Sequence, residues 1–216
     1  MSTLPSQYRL YHYWRSSSSW RVRMAFEWKK IPYEAMPVHL LNGEAESEAH
    51  LKRNPAGYVP VLEILSGKDE GNFLTESLAI IRYLEESHPD APTLFPGSAI
   101  DRAKQWALAE IICSDTQPLQ NIGVMALHSE NAAGQKRWAQ HWIRHGLEIF
   151  EATSAPHSGC FSHGDTFSIA DICLLPQIYN AERYEVSLDK FPCILKISAK
   201  CQALSAYLNS HPDKYQ

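Results

Sequence analysis

The apolar positions change period several times along the chain, and each change marks an element. Tyr8 to Tyr13 carries the aromatic enrichment of a strand, and from Ser19 the apolar residues Val22, Ala25 and Phe26 fall at helical intervals. Lys30-Ile31-Pro32 stops that helix, and Tyr33 to Leu40 predicts a second strand. Strand, helix and strand in that order form a crossover unit, so the two strands are expected to lie parallel. Glu44 to Arg53 is polar and weakly helical, and Asn54-Pro55-Ala56-Gly57 breaks the chain before Val59-Pro60. Val61 to Leu65 and Phe73 to Thr75 flank the turn-rich SGKDEGN and predict a β-hairpin. Glu76 to Ser87 sets Leu78, Ile81, Tyr83 and Leu84 on an amphipathic helix closed by His88-Pro89.

The resulting order, βαβ, a weak helix and then ββα, predicts an α/β thioredoxin-like N-terminal domain over residues 1–87, a small mixed sheet with helices on its faces. A proline-rich stretch at 88–97 is read as a linker. Beyond it the strand signals disappear. Ala99 to Ile112, Gln135 to Ala152, Ile169 to Asn180 and Cys193 to Leu208 all have helical spacing, which predicts an all-α C-terminal domain over 98–216. Ser168-Ile-Ala-Asp171, ahead of Ile172, Leu174 and Leu175, has the form of a capping box with Asp171 in the acid position.

Composition narrows what this fold does. The chain has 216 residues, 44% of them hydrophobic, and a formal net charge of -4, which leaves no basic stripe and argues against nucleic acid as the main partner. The opening MSTLPSQ lacks a charged and an apolar region, and no run approaches the roughly 18 apolar residues of a membrane helix, so a soluble, unexported, cytoplasmic chain without a membrane partner is expected. Five cysteines, all in the second half and with no CxxC pair, suit a reducing compartment. No GxGxxG, GxxxxGK[ST], GxSxG or HExxH occurs, so nucleotide cradles and common hydrolase signatures are absent. His157, Cys160 and His163 have the spacing of a metal loop but no evident fourth ligand, and a polar surface loop is the better reading; no metal is expected.

Five stretches carry a resemblance: YHYWRSSSSWRVRMAF near the start, NPAGYVP, ESLAIIRYLEE, QPLQN, and GDTFSIADICLLPQIYNAER. Together they resemble the zeta class of glutathione transferases, which includes maleylacetoacetate isomerase. The VP and ES elements alone would indicate only a glutathione transferase, whereas RSSxSWRVR with QPLQN and PQxxNAER narrows it to zeta. One departure lies at the first junction, where the family pattern RSSCSWR has a cysteine and this chain has Ser18.

The four serines Ser16 to Ser19 stand at the start of the first predicted helix, where backbone N–H groups lack intrahelical partners and the macrodipole favours an anion. A free thiol has a pKa of about 8.5, and a helix start beside a hydroxyl donor stabilises its thiolate. A thioredoxin carries its own cysteines here. Their absence converts a redox site into one that binds a thiol brought by a ligand, for which glutathione is the abundant cytosolic candidate. Any one of the serines is better read as a cap, but the cluster is better read as a site. Beside the resemblance, the catalytic candidates are Ser16, Ser17 and Ser18, with Ser16 first for the hydroxyl facing sulfur, Ser17 second, and Ser19 a cap or first-turn residue.

The resemblance implies the rest of the site. Val59-Pro60, as a cis-proline element, would leave backbone groups free to pair with the cysteinyl part of glutathione, and Glu76 and Ser77 would take its γ-glutamyl end at a helix start. Gln117, Asn121 and Gly123 are implied to close over glutathione from the helical domain. Arginine's planar fork suits an acidic second substrate, and of Arg15, Arg21 and Arg183 the resemblance favours Arg15 and Arg183. The implied activity is glutathione-dependent cis-trans isomerisation of a maleyl-type keto acid, maleylacetoacetate or maleylpyruvate, with glutathione as cofactor and a homodimer as the assembly. The alternatives are a transferase that conjugates or dehalogenates small α-halo acids, and a non-catalytic binding module of the same fold.

Overall fold

The computed structural model describes residues 6–216, so the opening MSTLP lies outside the described residues. The chain forms two units. One contains the residues up to Thr93 together with Ser205–Gln216, and the other is Leu94–Leu204. The division falls inside the predicted linker 88–97, but the end of the predicted helical domain 98–216 belongs to the first unit.

The first unit is built on a four-stranded sheet. Strand β1 (Tyr8–His12) leads into helix α1 (Ser17–Lys29) and returns in β2 (Glu34–Pro37), which pairs parallel to β1, as the crossover requires. A polar stretch with the short helix α2 (Glu48–Leu51) precedes β3 (Val61–Ile64), which pairs antiparallel with both β1 and β4 (Phe73–Thr75), and helix α3 (Ser77–Ser87) follows. The sheet order is β2-β1-β3-β4. Strand β2 is shorter than the expected Tyr33 to Leu40 because its one neighbour ends: His12 opposes Pro37, and a last bond from Val38 N–H to the His12 carbonyl closes the pairing.

Helix α1 has no simple apolar stripe. Trp20, Val22, Met24, Ala25 and Phe26 are buried, and so are Arg21 and Arg23, because the helix packs against α3 and also against a later segment of the chain. With Tyr8, Leu10, Leu62, Ile64, Ile80 and Ile81, these residues make the core of the unit.

The second unit consists of α4 (Ala99–Cys113), a 3-10 turn at Gln117–Gln120, α5 (Ile122–His128), the long α6 (Ala132–Ser154), α7 (Ile169–Arg183) and α8 (Pro192–Gln202). Its core joins Leu108, Ala109 and Ile112 of α4 to Ile143, Leu147 and Phe150 of α6 and to Ile172 and Leu174 of α7. Asp171 takes the expected acid position and does more than cap. Its fully buried carboxylate accepts from the N–H and hydroxyl of Ser168 at 2.9 and 3.1 Å, and from the N–H and hydroxyl of Ser162 at 2.8 and 2.7 Å. Burial pushes this carboxyl above its ordinary range, and the four donors pull against that shift.

The expected single helix from Cys193 to Leu208 is two helices. Helix α8 ends at Gln202, and α9 (Ser205–Ser210) packs on α1 in the first unit. The Trp20 indole N–H donates to the Ser210 hydroxyl at 2.9 Å, and the indole lies against the rings of Tyr207 and His211. No glycine or proline marks the break at Ala203-Leu204; docking on Trp20 sets it.

Candidate active site

Three segments meet at one end of the sheet. Tyr11 of β1 opposes Val61 of β3, and Val61 opposes Thr75 of β4. The serine turn that leaves β1, the Val59-Pro60 segment that enters β3, and the Glu76-Ser77 segment that leaves β4 therefore share that end. Side-chain packing agrees: Tyr13 and Val59 belong to one apolar cluster with Tyr11, Val38 and Val61, against which Trp14 also packs.

Ser16 is the N-cap of α1. Its backbone is extended, its N–H donates to the Tyr13 carbonyl at 3.1 Å, and its Oγ accepts from the Ser19 N–H at 3.2 Å. The first candidate for the site is thus also the cap of α1. A hydroxyl that accepts a backbone bond keeps its own proton to donate, so capping leaves Ser16 able to face a sulfur. Ser17 is the first helical residue and half-buried. Ser18 accepts from Arg21 Nη2 at 2.9 Å, and Arg21, buried, also directs Nε to the Ser17 carbonyl at 3.4 Å. That places Arg21 among the supports of the turn and not among exposed carboxylate binders. Ser19 is fully buried, and its Oγ accepts from the Tyr13 N–H at 3.4 Å, a tether between strand and helix.

The Val59-Pro60 peptide is cis, and among the described residues neither the N–H nor the carbonyl of Val59 makes a hydrogen bond within the chain. Two residues that the sequence reading passed over fix the approach to it. The carbonyl of Tyr58 accepts from His50 Nε2 at 3.0 Å and from Asn54 Nδ2 at 2.9 Å, while Asn54 Oδ1 accepts from the Ala56 N–H. The Asn of NPAG was the only signal for this, since an asparagine that turns back on its own backbone is a recognisable loop device.

Glu76 caps α3 with φ +63° and ψ 117°, a backbone conformation that a residue with a side chain seldom adopts and that costs about 1–3 kcal/mol. Its side chain is exposed and makes no cap bond, while Ser77 behind it is buried at the first position of α3. Strain of this kind persists where the surroundings impose it, and the Glu76 carboxylate lies exposed beside the head of α3. Arg15 is half-buried with its guanidinium 5.3 Å from the Trp14 ring centre.

The remaining candidates lie in the helical unit. Gln117 opens the 3-10 turn, and Asn121 caps α5 by accepting the Gly123 N–H at 3.0 Å, so Asn121 and Gly123 form one local device. Arg183 is exposed at the end of α7, with its guanidinium 4.9 Å from the ring of Tyr184. Gln120, Gln177 and Asn180, the polar residues common to the two helical-domain motifs, are buried together. Gln120 and Gln177 exchange amide bonds at 3.2 and 3.3 Å, and Asn180 donates to Gln120 at 3.3 Å. That part of the motif set joins the turn to α7. His163 pairs with Asp101 at 3.1 Å and the Cys160 N–H donates to Asp165, and among the described residues no three His, Cys, Asp or Glu side chains group as a metal site.

Beneath the serine turn lies His12, 2% exposed, whose Nδ1 is 3.2 Å from Arg23 Nη1. Burial, with the arginine charge second, lowers its pKa from 6.5 to about 3. A base whose folded pKa is depressed leaves the unfolded chain to take the proton first. Stability is therefore full above about pH 6.5 and is lost as pH falls from there toward 3. From this group alone the unfolding free energy should drop by about 2 kcal/mol between pH 7 and pH 5. Urea unfolding at both pH values should show that difference shrink by this amount in His12→Gln. An equal drop in both proteins would refute the assignment.

A sheet of this order with a helical unit, a helix-start serine and a cis-proline segment at one sheet end defines the glutathione transferase class. A family model described as Glutathione S-transferase, N-terminal domain, matches residues 10–92. The chain is 41% identical over 210 residues to the maleylacetoacetate isomerase of Rhizobium meliloti, spanning 95% of this chain and 96% of that one. It also superposes on the maleylacetoacetate isomerase of Anaeromyxobacter dehalogenans, solved with glutathione bound in its active site, with TM-score 0.88, 41% identity and 98% of each chain covered. A maleyl pyruvate isomerase, a bacterial zeta-class enzyme in its holo form, matches with TM-score 0.87 and 35% identity over 94% of this chain and 96% of that one. The chain belongs to the maleylacetoacetate isomerase and zeta-class glutathione transferase family.

Proposed function

We propose that this protein is a glutathione-dependent cis-trans isomerase of maleyl-type keto acids. The observation that carries the reading is the convergence of Ser16, Val59-Pro60 and Glu76-Ser77 at one end of the sheet. The residues fit glutathione. The unbonded Val59 N–H and carbonyl suit the cysteinyl backbone, and Ser77 with the head of α3 suits the γ-glutamyl carboxylate. Glu76 suits the γ-glutamyl ammonium, and Gln117, Asn121 and Gly123 are the further glutathione candidates that the family resemblance implies. Bound glutathione supplies a thiolate that adds to the electron-poor cis double bond and leaves again after rotation, so it is regenerated and not consumed.

The chain's own part is to orient and to stabilise charge. The Ser16 hydroxyl donates to the sulfur, and Ser17 and Ser18 complete the helix start, where N–H groups and the macrodipole favour negative charge. Arg15 and Arg183 are each candidates for a carboxylate of the substrate. Donors at the helix start also stabilise the negative charge that develops on the substrate's carbonyl oxygen. With Ser18 in the place of the family cysteine, no protein thiol stands in this cluster to react with electrophilic products.

The test is a panel in which purified protein and glutathione meet maleylacetoacetate, maleylpyruvate and a small α-halo acid. Absorbance follows isomerisation and halide release follows displacement. Turnover of a maleyl keto acid that needs glutathione and does not consume it is expected. Halide release alone would replace the reading by a dehalogenating transferase, and failure to bind a glutathione matrix would leave a binding module. No helix among the described residues is long and apolar enough to cross a membrane. We also propose a homodimer, the assembly that the family resemblance implies. Light scattering at micromolar concentration should give the mass of two chains, and a one-chain mass would refute it.

A further inference from the structure

Arg23 is fully buried, two turns along α1 from the cap Ser16, and among the described residues no carboxylate pairs with it. Its guanidinium is satisfied by neutral acceptors. Nη2 donates to the Trp14 carbonyl at 2.9 Å, Nη1 to the Tyr13 carbonyl at 3.4 Å, and Nε to the Ser210 carbonyl at 3.1 Å. The ring of Tyr215 covers it at 4.6 Å. The Tyr13 carbonyl that accepts Nη1 is the one that accepts the Ser16 N–H at 3.1 Å, so one carbonyl joins the guanidinium to the backbone of the candidate thiol-binding serine.

A buried arginine is ordinarily paired, because an uncompensated charge out of water is costly. We propose that Arg23 is left unpaired because its charge serves the site: it positions the Tyr13-Trp14 turn and stabilises a thiolate held at Ser16. The proposal rests on the glutathione reading above.

The surroundings keep that charge effective. The titratable groups facing the guanidinium are His12 from β1, Tyr33 from the segment before β2, and Tyr215 from the closing tail, where the Tyr33 and Tyr215 hydroxyls bond each other at 2.6 Å. His12 is neutral, and burial raises the Tyr33 phenol well beyond its usual range, so neither offsets the cation. Burial lowers Arg23 itself to about 10, which leaves it charged at neutral pH. On the site side, Arg15 and Arg21 are also cations, and Glu27, the acidic residue of α1, is held by Asn209 at 3.3 Å. A fixed charge in such partly desolvated surroundings moves an acid by about one pKa unit.

The closing tail offers a way to cancel the charge without emptying the core. Tyr215 is half-exposed and next to last in the chain. Tyr215→Glu brings a carboxylate to Arg23, and Tyr215→Gln makes the same change without charge. The ultraviolet absorbance of the bound thiolate, titrated against pH, is read in both, with glutathione affinity by calorimetry. The expected result is a bound-thiol pKa about one unit higher in Tyr215→Glu than in Tyr215→Gln. Arg23→Lys should hold the wild-type value, and Arg23→Gln, where it folds, should raise it. Equal pKa values in the two Tyr215 variants, beside a wild-type titration well below that of free glutathione, would overturn the proposal alone. A wild-type protein that binds no glutathione would overturn the functional reading and the proposal with it.

Discussion

Ser16→Ala should lower turnover by about a hundredfold or more, the usual cost of removing one preorganised donor from a developing or stabilised anion. The substitution removes two things, because Ser16 Oγ also accepts the Ser19 N–H that caps α1. Loss of that cap is worth about 1 kcal/mol of stability. Two further variants separate the roles. Ser16→Asn retains a capping oxygen but has no hydroxyl, and should keep the wild-type melting temperature while losing turnover and the depressed pKa of bound glutathione. Ser16→Thr should keep all three, and Ser17→Ala should stay near wild type. If Ser17→Ala loses turnover and the thiolate while Ser16→Ala retains them, the assignment is off by one residue. If every serine variant is active, the cluster is only a cap.

Asp171→Ala should be the most destabilising single change in the helical unit. Four donors converge on its carboxylate, two of them backbone N–H groups of Ser162 and Ser168, in a place with no access to water. Alanine strands all four and opens a void. At about 1–3 kcal/mol for each buried group left unbonded, and with partial relaxation, the loss should be on the order of 4 kcal/mol, a large fraction of an ordinary domain's stability. Asp171→Asn keeps the shape and one acceptor and should cost less. Urea denaturation followed by circular dichroism measures both. A loss below about 1 kcal/mol for Asp171→Ala would mean that the Ser162 loop and the start of α7 are held by something other than this carboxylate.

The elements were legible where their signals are local. The crossover β1-α1-β2, the hairpin, α3, the long helices and the Ser168-Asp171 box follow from spacing, turn residues and capping chemistry within a few positions, so each was readable in its own segment. The capping role of the serine cluster was also readable, since hydroxyls at a helix start accept its unpaired backbone N–H groups. Resemblance supplied the candidates that no local rule marks, such as Gln117 and Arg183.

What the sequence by itself determined, then, is the order of strands and helices in the first unit, the class of fold and the start of α1 at the serine cluster, because those depend on periodicity and on chemistry close together in the chain. Only the tertiary structure decided how that junction is supported. That the Ser16 hydroxyl caps α1 depends on backbone geometry, and that Val59-Pro60 and Glu76-Ser77 share its sheet end depends on strand register. The break between α8 and α9 is set by Trp20, far away in sequence, and the partners of Arg23 come from β1, from the turn after it and from the chain's last residues. An arginine in a helical run reads as solvent-facing because charge is costly to bury. Only packing from several distant segments, each offering a neutral acceptor, reverses that expectation here.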